Sequence, residues 1–171
     1  MAIGDFEDKR ICYGNWYAES SVATLIATTD TWTRLNCANL VSDIQNNISF
    51  DANAGSRNGE WEFITSGKYI IQMRMAFSGG TNDSYSLRWQ YSYSGGTEDE
   101  VVANSEITFT TKATNTWEVQ NLMIVDFPLR YTGTDGLWGE TKQGLYCQVK
   151  NNTDASNLTL ENGDFTFFKI G

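Results

Sequence analysis

The sequence predicts an all-β chain, two antiparallel sheets packed face to face as a sandwich. Three observations predict it. Apolar side chains hold every second position twice over, at Tyr69, Ile71, Met73, Met75 and Phe77 and again at Tyr85, Leu87, Trp89, Tyr91 and Tyr93. Successive side chains on a strand point to opposite faces, so a period of two is a strand signal. The chain is also rich in rings, with 6 Trp, 8 Tyr and 9 Phe, a composition that suits pleated, half-buried surfaces. Its 15 glycines stand against a single proline, Pro128, so its turns are built from Gly, Asn and Asp. No stretch carries a long helical period.

Residues 1–15 read as a polar arm and residues 16–171 as one domain. Residues 16–27, with Val22, Leu25 and Ile26, and residues 32–35 read as an opening strand pair. Residues 38–47 scatter Leu40, Val41 and Ile44 among polar groups, as in a long loop or one short helical turn. Residues 48–51 and 60–64 flank a turn-rich insert. The two alternating runs around Ser78-Gly79-Gly80-Thr81-Asn82-Asp83 read as a hairpin of antiparallel neighbours. Its core side should be Tyr69, Ile71, Met73, Met75, Phe77, Leu87, Trp89 and Tyr91, with Lys68, Gln72 and Arg74 in solvent. Residues 104–111 alternate through Ile107 and Phe109. Residues 117–127 alternate at first and become apolar on both phases at Leu122-Met123-Ile124-Val125, as in a central strand covered on both faces. Residues 145–150 and 158–160 are further strands, and Glu161-Asn162-Gly163-Asp164 reads as a tight turn before a closing strand at 165–170. Eight to ten strands of this kind make a sandwich or jelly roll.

At 171 residues one domain can bury roughly 70% of its unfolded surface and needs no disulfide or metal to fold. A formal charge of −9 argues against nucleic acid, which needs clustered Lys and Arg, and against insertion at an anionic membrane. The chain has no histidine, which removes Ser-His-Asp and Cys-His nucleophile systems and the usual zinc sites. Cys12, Cys37 and Cys147 have no metal or redox spacing. Cys147 alternates in phase with Leu145 and Val149 and reads as a small core residue. Asp5, Glu7 and Asp8 near the start, with no long apolar run beside them, match neither a signal peptide nor a membrane anchor, so synthesis in a cytoplasm is expected.

Carboxylates are what remains for chemistry. Glycoside hydrolysis needs two of them facing across a cleft, and Glu60, Glu62, Glu106, Glu118 and Asp126 all sit on strands. Glu60 and Glu62, however, share one side of a strand opposite Trp61 and Phe63, which is ordinary alternation. No catalytic residue and no enzyme activity is assigned. Oxygen ligands for calcium occur at Glu98-Asp99-Glu100 and at Asn82-Asp83, but solvated acidic loops explain both, and no cofactor or metal is expected. Trp16, Trp32, Trp61, Trp117 and Trp138 could stack on sugar rings if exposed. Trp61 and Trp117 alternate with charged neighbours and read as core. Trp138, in Asp135-Gly136-Leu137-Trp138-Gly139, is the best candidate for an exposed surface-binding aromatic.

Several segments together resemble the trimeric jelly rolls of the complement globular head and tumour necrosis factor-like superfamily, in the branch found in phage and bacterial surface proteins. They are Thr31-Trp32-Thr33-Arg34-Leu35, Ile48-Ser49-Phe50-Asp51, and Trp61-Glu62-Phe63-Ile64 leading into Gly67-Lys68-Tyr69-Ile70-Ile71. The last part adds Gly144-Leu145-Tyr146-Cys147-Gln148-Val149-Lys150-Asn151 and then residues 158–170, which look like the family's last two strands. The resemblance covers residues 31–171 and implies that the chain ends on an apolar strand in the middle of a sheet. It also implies a homotrimer, with Tyr69, Tyr146, Phe167 or Phe168 near the axis. Apolar residues on both phases at 122–125 and 165–170 support an interface independently, because they exceed what one core needs, and closed symmetry would bury the surplus.

The function these readings imply is a non-enzymatic virion structural protein. It would be a trimeric phage capsid decoration, minor capsid or head-fibre protein, made in the host cytoplasm and placed on the virion surface among other virion proteins. A fibre normally carries a shaft in the same chain, whereas a decoration protein needs only a short arm, here with Phe6 and Ile11 as apolar anchors of attachment. The alternative is a carbohydrate- or receptor-binding knob of a tail fibre, lectin-like, with Trp138 facing a host surface glycan.

Overall fold

The computed structural model of the chain describes residues 11–52, 59–93, 100–112, 117–127 and 143–171. Among these residues there are thirteen strands and no helix. They are β1 (Tyr13–Ala18), β2 (Val22–Thr24), β3 (Thr33–Arg34), β4 (Leu40–Asn46), β5 (Ile48–Asp51), β6 (Glu60–Phe63) and β7 (Gly67–Ser78). They continue with β8 (Ser84–Tyr93), β9 (Glu100–Val101), β10 (Ile107–Thr110), β11 (Trp117–Phe127), β12 (Gln143–Asn151) and β13 (Leu158–Lys169).

Two sheets result, antiparallel throughout. The first runs β11-β7-β13-β1-β4, with β2 also paired to β13. The second runs β10-β8-β12-β6-β5, with β3 also on β12 and β9 on β8. The inward phases of both sheets meet in one core. Tyr69, Ile71, Met73, Met75 and Phe77 from β7 face Leu87 and Trp89 from β8, each 1% exposed or less. Tyr91 is half-buried, and Lys68, Gln72 and Arg74 are exposed, so the predicted register holds. Trp61 stands at the centre, with ring centroids 4.9 Å from Phe165, 5.2 Å from Phe167, 5.5 Å from Trp89 and 6.4 Å from Trp16. Each such pair adds about 0.5–1.5 kcal/mol beyond the area it buries.

The strands are where alternation puts them, but several of their partners are not. β7 and β8 do not form a hairpin. β7 pairs with β11 and β13, while β8 pairs with β10, β12 and β9. Both strands turn an apolar side to the same core from opposite layers, so their alternation is identical whether they pair or face each other. The link from Gly79 to Asp83 carries the chain from one sheet to the other. Tyr85 pins it by accepting the Gly80 N–H at 3.1 Å. The opening segments likewise do not pair with one another: β1 lies between β13 and β4, β2 joins β13, and β3 joins β12.

Four further segments differ from what the sequence predicts. Residues 38–47 contain a strand, β4, and not a loop or helical turn. Its register on β1 slips between Asn15 and Trp16, which face Ile44 and Ser42. The extra residue, Asp43, breaks the period of two, as a bulge does. Glu161-Asn162-Gly163-Asp164 is no turn, because β13 runs straight through it and slips register on β7 between Leu160 and Asn162. β11 is not covered on both faces. Among the described residues it is an edge strand, with Leu122 70% and Ile124 65% exposed. Tyr13, Gly14 and Asn15, read as part of the arm, already belong to β1.

Gly67 explains the Gly-X-Tyr start of β7. Its φ of +132° lies where side chains are rarely tolerated. A Cβ there would sit 2.2 Å from the Gly171 carbonyl oxygen. That oxygen accepts the Lys68 N–H at 2.5 Å, and the Ile170 N–H returns a bond to the Lys68 oxygen at 2.8 Å. β13 is thereby clamped at its end and held between β7 and β1, the central place that an apolar closing strand requires.

Candidate interaction faces

Two outward faces remain once the core is filled. On the first sheet, strand register lines up side chains across the strands. Ile124 lies opposite Ile70, Ile70 opposite Phe168, and Phe168 opposite Tyr13. The next row carries Leu122, Gln72, Thr166, Asn15 and Ile44. Phe168 is 50% and Ile44 52% exposed. A band of apolar groups therefore crosses a solvent-facing sheet at one height. Beyond it the face turns polar. Arg74 meets Glu118 at 2.8 Å on the surface, and Gly163, Asn162, Asp164 and Ala76 line a shallow hollow beside them. The Arg74 bond holds the Glu118 carboxyl below its usual range.

The residues read as axial do not gather here. Tyr69 and Phe167 are fully buried in the core, and Tyr146 is 3% exposed. Tyr69 packs on Phe63 at 4.9 Å and its hydroxyl donates to the Thr65 carbonyl at 2.9 Å. Phe167 packs on Trp16 at 5.7 Å. Tyr146 belongs to the other sheet. These three have no surface left to offer a second chain, and of the four only Phe168 lies on the open face. Consecutive residues of a strand point to opposite sides, so Phe167 and Phe168 could never share a contact. Sequence reasoning missed Ile70 and Tyr13, although the outward phase of β7 already contained Ile70 among Lys68, Gln72 and Arg74.

The outward face of the second sheet has the opposite chemistry. Arg34, Gln148 and Arg88 are side by side on β3, β12 and β8, and Lys150 follows two residues along β12. The Arg34 guanidinium lies 3.6 Å over the Tyr146 ring, and that of Arg88 4.0 Å over Trp32. The Lys150 ammonium is 5.1 Å from the Trp32 ring. Stacking of this kind covers the rings and fixes the cations. Glu60 is buried at 2% exposure, 3.5 Å from Arg34, over Gly144, where a Cβ would collide with its carboxylate. Alternation puts it on the side of β6 opposite Trp61 and Phe63, and there it is a buried counter-ion of Arg34. Lys150 pairs with Asp30 at 2.8 Å. Arg88 donates from Nε to Gln148 Oε1 at 2.8 Å. Burial draws its pKa below the ordinary value, with Glu106 opposing.

The strand carboxylates do not converge. Glu60 is buried on the second sheet, and Glu118 is exposed on the first beside Arg74. Among the described residues no group of three or more Cys, Asp or Glu could hold a metal ion. Asp83 is 4% exposed and accepts from Asn151 Nδ2 at 3.2 Å and from the Tyr85 hydroxyl at 3.3 Å. Glu98 and Asp99 lie outside the described residues. All three cysteines are free and buried. Burial pushes the Cys37 thiol up to about 12 and that of Cys147 well above its ordinary value, so both stay protonated and unreactive. Trp16 and Trp61 are core, at 1% and 0% exposure. Trp138, Phe6 and the Trp117 side chain lie outside the described residues. Ile11 is 66% exposed, and its carbonyl accepts from Asn46 Nδ2 at 2.8 Å and Asn47 Nδ2 at 3.0 Å.

Comparison with known proteins places the fold. No family's sequence profile matches the chain, and no curated protein matches it. Solved structures do match. Eiger, a tumour necrosis factor of S. frugiperda, superposes with a TM-score of 0.57 at 10% identity, over 94% of this chain and 93% of that one. Murine APRIL, crystallised at pH 8.0, gives 0.57 at 7% identity over 92% and 99% of the two chains. Its pH 5.0 form gives 0.54 at 7% identity over 94% and 100%. The chain is therefore a tumour necrosis factor-like jelly roll. At these identities the likeness is one of fold, and function has to be argued from the two faces.

Proposed function

We propose that this chain is a non-enzymatic structural protein that works as a homotrimer on the surface of a virion, as a phage capsid decoration, minor capsid or head-fibre protein. The observation that carries the assembly is the row Ile124–Ile70–Phe168–Tyr13 with Leu122 and Ile44 beside it. Leu122, Ile124, Phe168 and Ile44 are half or more exposed, with half-buried Ile70 and Tyr13 between them. Apolar groups left open in this way on a rigid sheet mark a contact surface, which a closed ring of copies buries without leaving an edge. The subunit contact then falls to Phe168 and its row, not to Tyr69, Tyr146 or Phe167. The virion setting is supported by the acidic composition, by sheet faces that, among the described residues, bring no carboxylates together across a cleft, and by the likeness of its segments to phage surface jelly rolls. Attachment is assigned to the N-terminal residues around Phe6 and Ile11. The tail-fibre knob has less support, because among the described tryptophans Trp16, Trp61 and Trp89 are buried and Trp32 is covered by cations.

Electron microscopy of particles assembled with and without the protein tests this reading. Threefold density on the outer shell that disappears when the gene is deleted is the expected result. A density confined to the tail tip would replace it with the receptor-binding reading. Deleting residues 1–10 should leave thermal stability intact and abolish incorporation into particles. Normal incorporation would move the seat to the sandwich itself.

A further inference from the structure

We propose that the outward face of the second sheet is a docking surface for an acidic segment of a partner protein, with the Arg88 guanidinium receiving its carboxylate. This face is independent of the apolar row and needs no particular oligomeric state. Three cations sit within three adjacent strands of a chain whose formal charge is −9. Adjacent strands are about 4.8 Å apart, so Arg34 and Arg88, flanking Gln148, stand roughly 10 Å apart at the backbone. The strip already selects carboxylates from its own chain: Glu60 takes Arg34 at 3.5 Å and Asp30 takes Lys150 at 2.8 Å.

Arg88 differs from both. Glu106 attracts it from beyond contact, and no carboxylate among the described residues lies within ion-pair distance of it. Trp32 beneath it and Gln148 beside it hold the guanidinium plane in place, while its terminal nitrogens keep N–H donors for a planar, two-pronged acceptor. A cation fixed in this way has already lost the side-chain freedom that binding would otherwise cost. The occupant is a polypeptide carboxylate and not a sugar acid, because Trp32 and Tyr146 are already stacked by cations and offer no bare ring for a pyranose. The acidic surface elsewhere does not forbid it, because at physiological ionic strength charges beyond about 8 Å are screened and the Arg88 donors act at contact.

The probe is a fluorescein-labelled hexaglutamate peptide followed by anisotropy against the full chain in about 0.15 M salt, with a parallel titration reading the Trp32 indole N–H by NMR. The wild type should bind and the Trp32 resonance should move. Arg88→Gln should weaken binding about tenfold or more, the scale of losing a charged hydrogen-bonding partner. Arg88→Lys should recover only part, since it keeps charge but not the fork. Lys68→Gln, which removes the same charge from the other sheet, should change it less than twofold. The proposal is overturned by absence of wild-type binding at millimolar peptide, or by binding that leaves the Trp32 signal in place. It is equally overturned by equal losses in Arg88→Gln and Lys68→Gln, or by an oligogalacturonate of matched charge binding more tightly than the peptide.

Discussion

The outward faces of the two sheets grow from the same alternation and end in opposite chemistry. On the first sheet the outward phase of β7, β11, β13 and β1 includes Ile70, Ile124, Phe168 and Tyr13, aligned in one row, with Ile124 65% and Phe168 50% exposed. On the second sheet the outward aromatics, Trp32 and Tyr146, lie beneath Arg88, Lys150 and Arg34. One face closes over its rings with its own guanidinium and ammonium groups, and the other leaves Ile124 and Phe168 open. Alternation names the side of a strand that meets the core. The outward residues, read across the register, decide what the other side is prepared to meet.

Two neighbouring phenylalanines separate the core side from the open side most sharply. Phe167→Ala removes a fully buried ring and should cost about 3–5 kcal/mol in chemical denaturation. Phe168→Ala should leave the fold of a single chain nearly unchanged and weaken only association. Equal losses from the two would mean that the first sheet's outer face is covered within the chain. Gly67→Ala should come next, at about 1–3 kcal/mol, because it forces a side chain into a positive-φ position against the Gly171 carbonyl. A melting temperature unchanged by Gly67→Ala would show that the clamp on β13 is dispensable.

Alkaline pH tests the core that both faces share. Burial raises Cys37 from 9.0 to about 12 and Tyr85 from 10.0 to about 12. A folded pKa above the unfolded one gives stability that is complete below the unfolded value and lost as pH rises through the folded one. Stability should therefore hold up to about pH 9 and fall between pH 9 and 12, and Cys37→Ala should flatten the first part of that fall. An unchanged pH profile in the variant would remove Cys37 from the account. The smallest effect is expected from Glu118→Gln. Both members of its pair with Arg74 are more than half exposed, so denaturation should not register the change. A clear loss of association in this variant would extend the contact into the polar part of the face.

Much of the fold was legible in the sequence, because period two survives wherever a strand lines the core: β7, β8, β10 and β12 fall where the pattern puts them. Pairing was not legible. β7 and β8 share a core without sharing a hydrogen bond, and nothing in their side chains separates a hairpin from a crossing between sheets. β4 and the bulge in β13 were hidden because one extra residue, Asp43 or Glu161, shifts the phase. Surplus apolar residues at 122–125 and 165–170 pointed to the open face, yet only register shows which of them stand together. Trp32 and Arg88 are 56 positions apart in the chain, and no local pattern joins them.

Sedimentation equilibrium on the wild type and on Ile124→Asp and Phe168→Asp, at micromolar concentration, tests most directly whether the bare row on the first sheet is a contact between copies. The wild type should have a mass three times 19.2 kDa, and the variants should sediment as folded single chains with unchanged circular dichroism. Burying an unpaired carboxylate in an apolar contact is too costly to permit assembly. A wild type that sediments as a single chain, or aspartate variants that remain trimeric, would contradict it.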